Sequence, residues 1–353
     1  INTDAELINS RFKNALDSIN HLTIQGNKFR FILQSDMIEI DKIRDQELAN
    51  LFQPEEAIFS QPKDGPSFSN TFFYSLGKEM ILLIFYVFNH YGLFILMFLS
   101  LIGILIYLNI LKKNLINSNL YENLRHPIAI FNNPVATSFI IVFSVFQYFF
   151  TLAPFILLSS IWFISGIFLT RIYAGSLPRP EFRIWLLYFI MISVALFINN
   201  IVVHSVTETW LILILSITAF AFSLYIILKG RHILPKQLIN MLILVAIFEF
   251  IAIVLLFAGN YNLGKAFMTN GLFTVWVGYM LYNAYWFLYD IRKYTKYVNL
   301  HIEEKDISQN FKEREEVPVF IYIFFVLSWV FLIFRNTHLF QKLINPLREH
   351  FSE

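Results

Sequence analysis

The sequence has no cysteine and little charge. Of its 353 residues, none is Cys and 15% are charged. The absence of cysteine excludes disulfides, thiolate nucleophiles and cysteine-ligated metal sites. Soluble domains carry about 25% charged residues, and disordered chains combine low hydrophobicity with high net charge, so the composition fits neither class. A net charge of +2 argues against a nucleic-acid partner, which needs a dense basic surface.

Apolar residues make up 57% of the chain, and 40 residues are phenylalanine. A membrane helix needs about 20 mostly apolar residues. The sequence contains eight such segments and predicts an all-α, multi-pass membrane protein whose helices form hairpins. The predicted spans are 91–111, 135–153, 155–170, 184–203, 210–228, 238–258, 267–289 and 317–334.

The apolar run from 135 to 170 is too long for one span, and Pro154 can interrupt a helix because it lacks an N–H group. Charge supports a division there, because cytoplasmic loops collect Lys and Arg. With the division, four loops on one side hold fifteen basic residues, and the alternate connections hold one, Lys265. We therefore predict eight spans, with both termini outside the cytoplasm.

The amino-terminal part, residues 1–66, is predicted to be an extracytoplasmic helical segment of coiled-coil type. Apolar positions recur there at alternating spacings of four and three, the pattern of a heptad seam. The seam runs from Ile8 through Gly26 to Ile43 and includes Asp36. It indicates either an intramolecular hairpin of helices or packing between subunits. Residues 67–90 are predicted to form an amphipathic helix on the outer membrane surface.

Polar residues at membrane depth are functional candidates by default. Glu249 is the one charged residue within the spans, and it could be a proton relay, an ion ligand or an uncharged acid bonded to a neighbouring helix. Four amides are suited to hydrogen bonds between helices: Gln147, Asn199, Asn200 and Asn283. Basic residues at the cytoplasmic ends are expected to face lipid headgroups: Lys112, Lys113, Arg171, Arg179, Arg183, Lys229, Arg231, Lys236, Arg292, Lys293 and Lys296.

No sequence motif of a nucleophilic hydrolase, zinc protease, P-loop or dinucleotide-binding protein is present. We therefore expect no enzyme activity, no cofactor and no metal site. His204 and Glu208 are four residues apart, but they are expected to form only a solvated pair in an outer loop.

The overall layout resembles the amino-terminal part of large mechanosensitive ion channels of the MscS superfamily, the MscK type. The segment Phe331–Leu347 looks like the linker from the last extra span to the pore core of that family, and Asn345–Glu353 ends on the outer side. Residues 335–353 are therefore expected to lead to a further carboxyl-terminal part.

The resemblance implies eleven spans in the complete protein, a heptameric homo-oligomer, and a bacterial inner membrane with the amino terminus in the periplasm. It implies that the extra hairpins sense membrane tension through contact with lipids, and that the channel releases ions and solutes on osmotic downshift. Two alternatives are a non-catalytic scaffold subunit of an envelope complex and a multi-pass transporter.

Overall fold

The computed structural model describes residues 2–50, 67–118, 129–150, 153–201, 204–230, 236–302 and 319–336, and all regular structure in these ranges is helical. The predicted loop residues and linker outside these ranges lie beyond the described part of the chain. The helices are α1 (Asn2–Asn50), α2 (Phe68–Asn89), α3 (Tyr91–Asn117), α4 (Ala129–Asn132), α5 (Pro134–Phe146), α6 (Phe155–Ser176), α7 (Arg179–Asn199), α8 (Val206–Gly230), α9 (Lys236–Phe257), α10 (Tyr261–Ile302) and α11 (Val319–Asn336).

Within the described ranges, six helices are long and apolar enough to cross a membrane: α2, α3, α6, α7, α8 and α9. The protein is therefore a multi-pass helical membrane protein. Five of these helices coincide with predicted spans, and α2 coincides with the segment predicted to lie on the membrane surface. The predicted span 135–153 is replaced by a shorter helix, α5, which ends at Phe146.

Helix α10 is the centre of the bundle. It packs against α9, α7, α5, α11, α3 and α8, and every residue from Met268 to Val277 is buried. The polar residues Thr269, Asn270 and Thr274 lie in this buried stretch. A helix that faces protein on all sides tolerates such residues, because neighbouring helices can bond them in place of water.

The basic residues at the helix ends gather at one end of the bundle, here called the basic end. Arg171 at the end of α6 donates through Nε to Asn133 Oδ1 before α5, at 3.3 Å. Lys112 near the end of α3 donates to the Phe131 carbonyl oxygen at 3.2 Å. The other end, here called the opposite end, holds the break between α5 and α6, and Pro154 immediately precedes α6 there.

Helix α2 lies across the opposite end of the bundle. The Phe72 ring stacks on Phe197 near the end of α7 at 4.6 Å. Glu79 accepts a hydrogen bond from the Ile156 N–H at the start of α6, and Tyr86 contacts Phe150 after α5. Phe72 and Tyr86 are about 21 Å apart along a helix. All three contacts nevertheless lie at the same end of the bundle. Helix α2 therefore runs across the other helices at that end, although its length and composition would allow it to cross a membrane.

Helix α1 continues through Gly26 without interruption. Several apolar side chains of its central part are exposed, including Ile19, Leu22 and Phe29. Among the described residues α1 packs against α2, where Lys78 Nζ lies 2.7 Å from Asp36 Oδ1 and 2.9 Å from Glu39 Oε2. Asp36 of the predicted heptad seam therefore faces α2 of its own chain. The hydrogen bonds to Lys78 and Tyr74 lower the pKa of Glu39.

Small residues bring α8, α9 and α10 close together. On α10, Gly264, Gly271 and Gly278 recur every seven residues and face α9. On α8, Ser216, Ala219 and Ser223 are fully buried, and α9 is the helix with which α8 makes most of its contacts. Small interfacial residues allow close backbone approach, which drives association where lipid provides no hydrophobic driving force.

Replacing Gly271 by Ala tests this packing. A Cβ at this position would lie 2.8 Å from Glu249 Oε1 and 3.0 Å from Phe248 Cβ, so Gly271→Ala should destabilise the bundle by about 1–3 kcal/mol, the usual cost of overpacking. The measurement is unfolding of the purified protein followed by tryptophan fluorescence. Gly103→Ala on α3 is the matched control, because its Cβ would meet nothing within 4 Å. Equal stability of the two variants would contradict the close contact.

Candidate functional site

Glu249 lies between three helices in the interior of the bundle. Its side chain has no solvent exposure, and neither carboxyl oxygen has a hydrogen-bond partner among the described residues. Oε1 faces the Cα of Gly271 on α10. The Ser216 hydroxyl of α8 lies beside the carboxyl, although the two do not meet hydrogen-bond geometry, and that hydroxyl also lacks a partner.

Three of the four predicted amides form hydrogen bonds between helices, and all three reach α6. Gln147 Oε1 accepts a bond from Trp162 Nε1 at 2.9 Å. Asn200 Nδ2 donates to Ser159 Oγ at 3.1 Å, and Asn283 Nδ2 donates to the Tyr173 hydroxyl. Asn199 ends α7 and is half-buried. Helix α6 is therefore bonded by amides of α10 and of the segments that end α5 and α7.

The opposite end contains a buried ion pair. Glu208 on α8 is fully buried, and its Oε1 lies 2.8 Å from Lys265 Nζ on α10. Lys265 also donates to the Ile201 carbonyl oxygen after α7 at 2.8 Å. Lys265, the single basic residue of the predicted outer connections, therefore has its charge paired with a buried carboxylate.

The expectation of a solvated pair of His204 and Glu208 is wrong. Helix α8 begins at Val206, so His204 lies outside the helix, and Glu208 is buried against Lys265. His204 Nε2 is 2.8 Å from Thr209 Oγ1, and its ring lies 4.1 Å from that of Tyr261. Burial lowers the pKa of His204, and Lys265 lowers it further, whereas Glu208 acts in the opposite direction. The net lowering of the pKa favours the neutral imidazole.

Two adjacent residues of α2 that the sequence did not single out connect different parts of the protein. Lys78 bonds Asp36 and Glu39 of α1. Glu79 is 6% exposed, and its Oε2 accepts from the Ile156 N–H at 3.3 Å. A carboxylate at a helix amino terminus accepts a hydrogen bond from a backbone N–H that has no partner within the helix. It also interacts favourably with the positive end of the helix dipole. The presence of an acidic residue in a mostly apolar helix was the feature of the sequence that could have identified Glu79 as a buried contact.

The described basic residues among those predicted to face lipid headgroups lie at the basic end, and most of their side chains are exposed. Those with exposed side chains are Lys113, Arg171, Arg179, Arg183, Lys229, Arg292 and Lys296. Lys112 and Lys293 are half-buried, and Lys293 Nζ lies 5.7 Å from the centre of the Tyr297 ring. Arg231 and the side chain of Lys236 are outside the described part of the chain.

Comparisons of the chain with protein-family models, with curated proteins and with solved structures give no match. Within the described residues, no group of three or more His, Cys, Asp and Glu side chains could hold a metal ion.

Lys265→Met should destabilise the protein strongly. The change leaves the buried Glu208 carboxylate without its cation, and breaking one partner of a buried pair costs about 3–5 kcal/mol. Unfolding of the purified protein measures the effect. Lys296→Met on the same helix is the control, since Lys296 is exposed. If Lys265→Met is as stable as the control, the ion pair does not support the fold. Restored stability in the double variant Lys265→Met/Glu208→Gln would identify the uncompensated charge as the cause.

Proposed function

We propose that this chain is the membrane-tension-sensing region of a mechanosensitive ion channel of the MscS type. The observation that carries the proposal is the one-sided attachment of α3. No residue from Tyr91 to Tyr107 is buried, whereas Leu108, Leu111 and Leu115 are. The helix is therefore buried most deeply near the basic end. Its other half, here called the free half, is only partly buried: Leu93, Phe94, Met97, Leu101 and Ile104 pack on the bundle, and the remaining apolar side chains are presented to lipid.

Such a helix can tilt about its anchored end. At that end, Lys112 bonds the Phe131 carbonyl oxygen, and the Tyr107 hydroxyl lies 2.7 Å from Thr295 Oγ1 of α10. At the opposite end the main ring contact is Phe94 with Phe150, at 5.1 Å. Tension favours the state that occupies more membrane area and acts only through that difference. Outward tilting of α3 is a motion that increases the area.

Helix α2 links this motion to other parts of the chain. It joins α3 at His90, lies across the ends of α6 and α7, and bonds α1 through Lys78. Displacement of the free half of α3 therefore pulls on α2. Under the proposal, α2 lies at the outer membrane surface and transmits the movement to α1 and α6.

The proposal includes eight membrane crossings, made by α3 and by α5 to α11. Helix α5 has 13 residues, about 20 Å of helix, so its crossing requires the following turn residues or a locally thinned bilayer. The long helix α10 crosses within residues 267–289, which include its buried stretch. Basic side chains at one end then mark the cytoplasmic side of a bacterial inner membrane, and α1 lies in the periplasm.

The partners under this proposal are membrane lipids and further copies of the chain, seven in all if the MscS resemblance holds. The exposed apolar residues of α1 support self-association. A helix in a protein derives most of its stability from packing an apolar face. The α1 helices of neighbouring subunits are the partners that we propose for that face.

The topology can be tested with reporter fusions. Fusions after Leu228 and within 303–316 should report the cytoplasm, and fusions near Thr207 and Asn262 should report the periplasm. The reason is the concentration of basic residues at one end of the bundle. A cytoplasmic signal at Thr207 would contradict the eight-crossing arrangement.

The function can be tested by tethering the free half of α3. Because this chain has no cysteine, the pair Phe94→Cys/Phe150→Cys can be joined by a short bis-methanethiosulfonate, which forms a reducible disulfide with each thiol and releases sulfinate. Any cysteine of the full-length protein outside this sequence is first replaced. In patch-clamp recordings of the full-length protein, cross-linking should raise the tension threshold, and reduction should restore it. The single-cysteine variants are the controls. The recording strain lacks its own mechanosensitive channels.

Two failures are distinguishable in this experiment. If the unmodified full-length protein passes no stretch-activated current before the patch ruptures, the channel proposal is wrong, and the scaffold alternative replaces it. If current is present but cross-linking leaves the threshold unchanged, the protein is a channel in which α3 is not the sensor.

A further inference from the structure

The carboxyl of Glu249 is buried and has no hydrogen-bond partner among the described residues. Both oxygens are inaccessible and unbonded among the described residues, and the residue lies within α9, a helix long and apolar enough to cross a membrane. An ionised carboxylate moved from water into such an interior costs several kcal/mol unless it is paired. The group must therefore bind something that removes its charge.

None of the described residues around Glu249 supplies a compensating cation. On α10 it meets the bare backbone of Gly271. On α8 its neighbour is the Ser216 hydroxyl. On α7 the nearest titratable group is Tyr188, whose hydroxyl is already bonded to Ser223 Oγ at 2.7 Å. Lys265, the basic residue of α10 at the opposite end, is bonded to Glu208.

The geometry also limits what can bind. Three oxygens lack partners here: the two of the Glu249 carboxyl and the hydroxyl oxygen of Ser216. Hard metal cations take about six or more oxygen ligands, which this site does not offer. A proton needs a single oxygen, and the resulting O–H group can donate to Ser216 Oγ. One proton thus provides a hydrogen bond between the Glu249 carboxyl and the Ser216 hydroxyl, the two groups that lack partners.

We propose that Glu249 is an intramembrane proton-binding site whose proton joins α9 to α8 through a hydrogen bond to Ser216. The site lies in the most closely packed part of the bundle, opposite Gly271. Loss of the proton would place a charge between α8, α9 and α10, and the close approach of these helices would no longer be stable. The proposal does not depend on whether the chain senses tension.

Infrared difference spectroscopy of the purified chain in lipid nanodiscs tests the site directly. Subtracting the Glu249→Gln spectrum from that of the unaltered protein at neutral pH should reveal the carbonyl stretch of a protonated carboxyl. Ser216→Ala should shift this band to higher frequency, because the hydrogen bond to the acid is lost. Thr218→Ala is the matched control on α8, since Thr218 is exposed and bonds its own helix at Ile214, and it should leave the band in place.

Carboxylate bands in place of the protonated carbonyl stretch would overturn the proposal. A protonated band that Ser216→Ala does not move would overturn the assignment of the proton to the α8–α9 contact. If Glu249→Gln does not assemble, Glu249→Asp gives the same identification, because an acid at this position moves the band instead of removing it.

Discussion

The contact of α9 with α10 is the one on which the rest of the bundle depends. Lipid offers helices no hydrophobic driving force to associate, so close packing and polar bonds must hold them together. Three glycines of α10, spaced seven residues apart, allow α9 to approach the backbone. Helices α5, α7, α3 and α11 then pack on the other faces of α10. A side chain at Gly271 would move α9 and disturb the central helix against which the others are placed.

Polar bonding in the interior is concentrated on a second helix, α6. Its side chains bond Gln147 after α5, Asn200 after α7 and Asn283 of α10, and a backbone N–H in its first turn donates to Glu79 of α2. Buried polar groups in hydrocarbon must find partners within the protein, so these bonds fix the rotation of α6 about its axis. Close packing at α10 and hydrogen bonding at α6 therefore hold neighbouring parts of the bundle by different means.

Helices that face lipid are easier to predict from the sequence than helices that face protein. The length of an apolar run identifies α3 and α6 to α9, and Pro154 marks the break before α6. The buried polar residues of α10 lower its apolar character, and the glycine spacing has meaning only once α9 is opposite it. The burial of Glu208 could not be predicted, because its partner Lys265 lies 57 residues away. Glu79 was missed because its partner is a backbone N–H of another helix.

These differences in packing bear on how the proposed sensor would work. Under the proposal, the unit formed by α8, α9 and α10 does not supply the area change on which tension acts, because expansion would separate its glycine contacts. Under the proposal, the free half of α3 is the part that moves, since its contacts with the bundle are only partly buried. Its movement is opposed by α2, which Glu79 holds on α6 and Lys78 holds on α1. Under the proposal, Lys78 and Glu79, two adjacent side chains of opposite charge, would set the tension needed to displace α3, and a change in the position of α1 would change that tension.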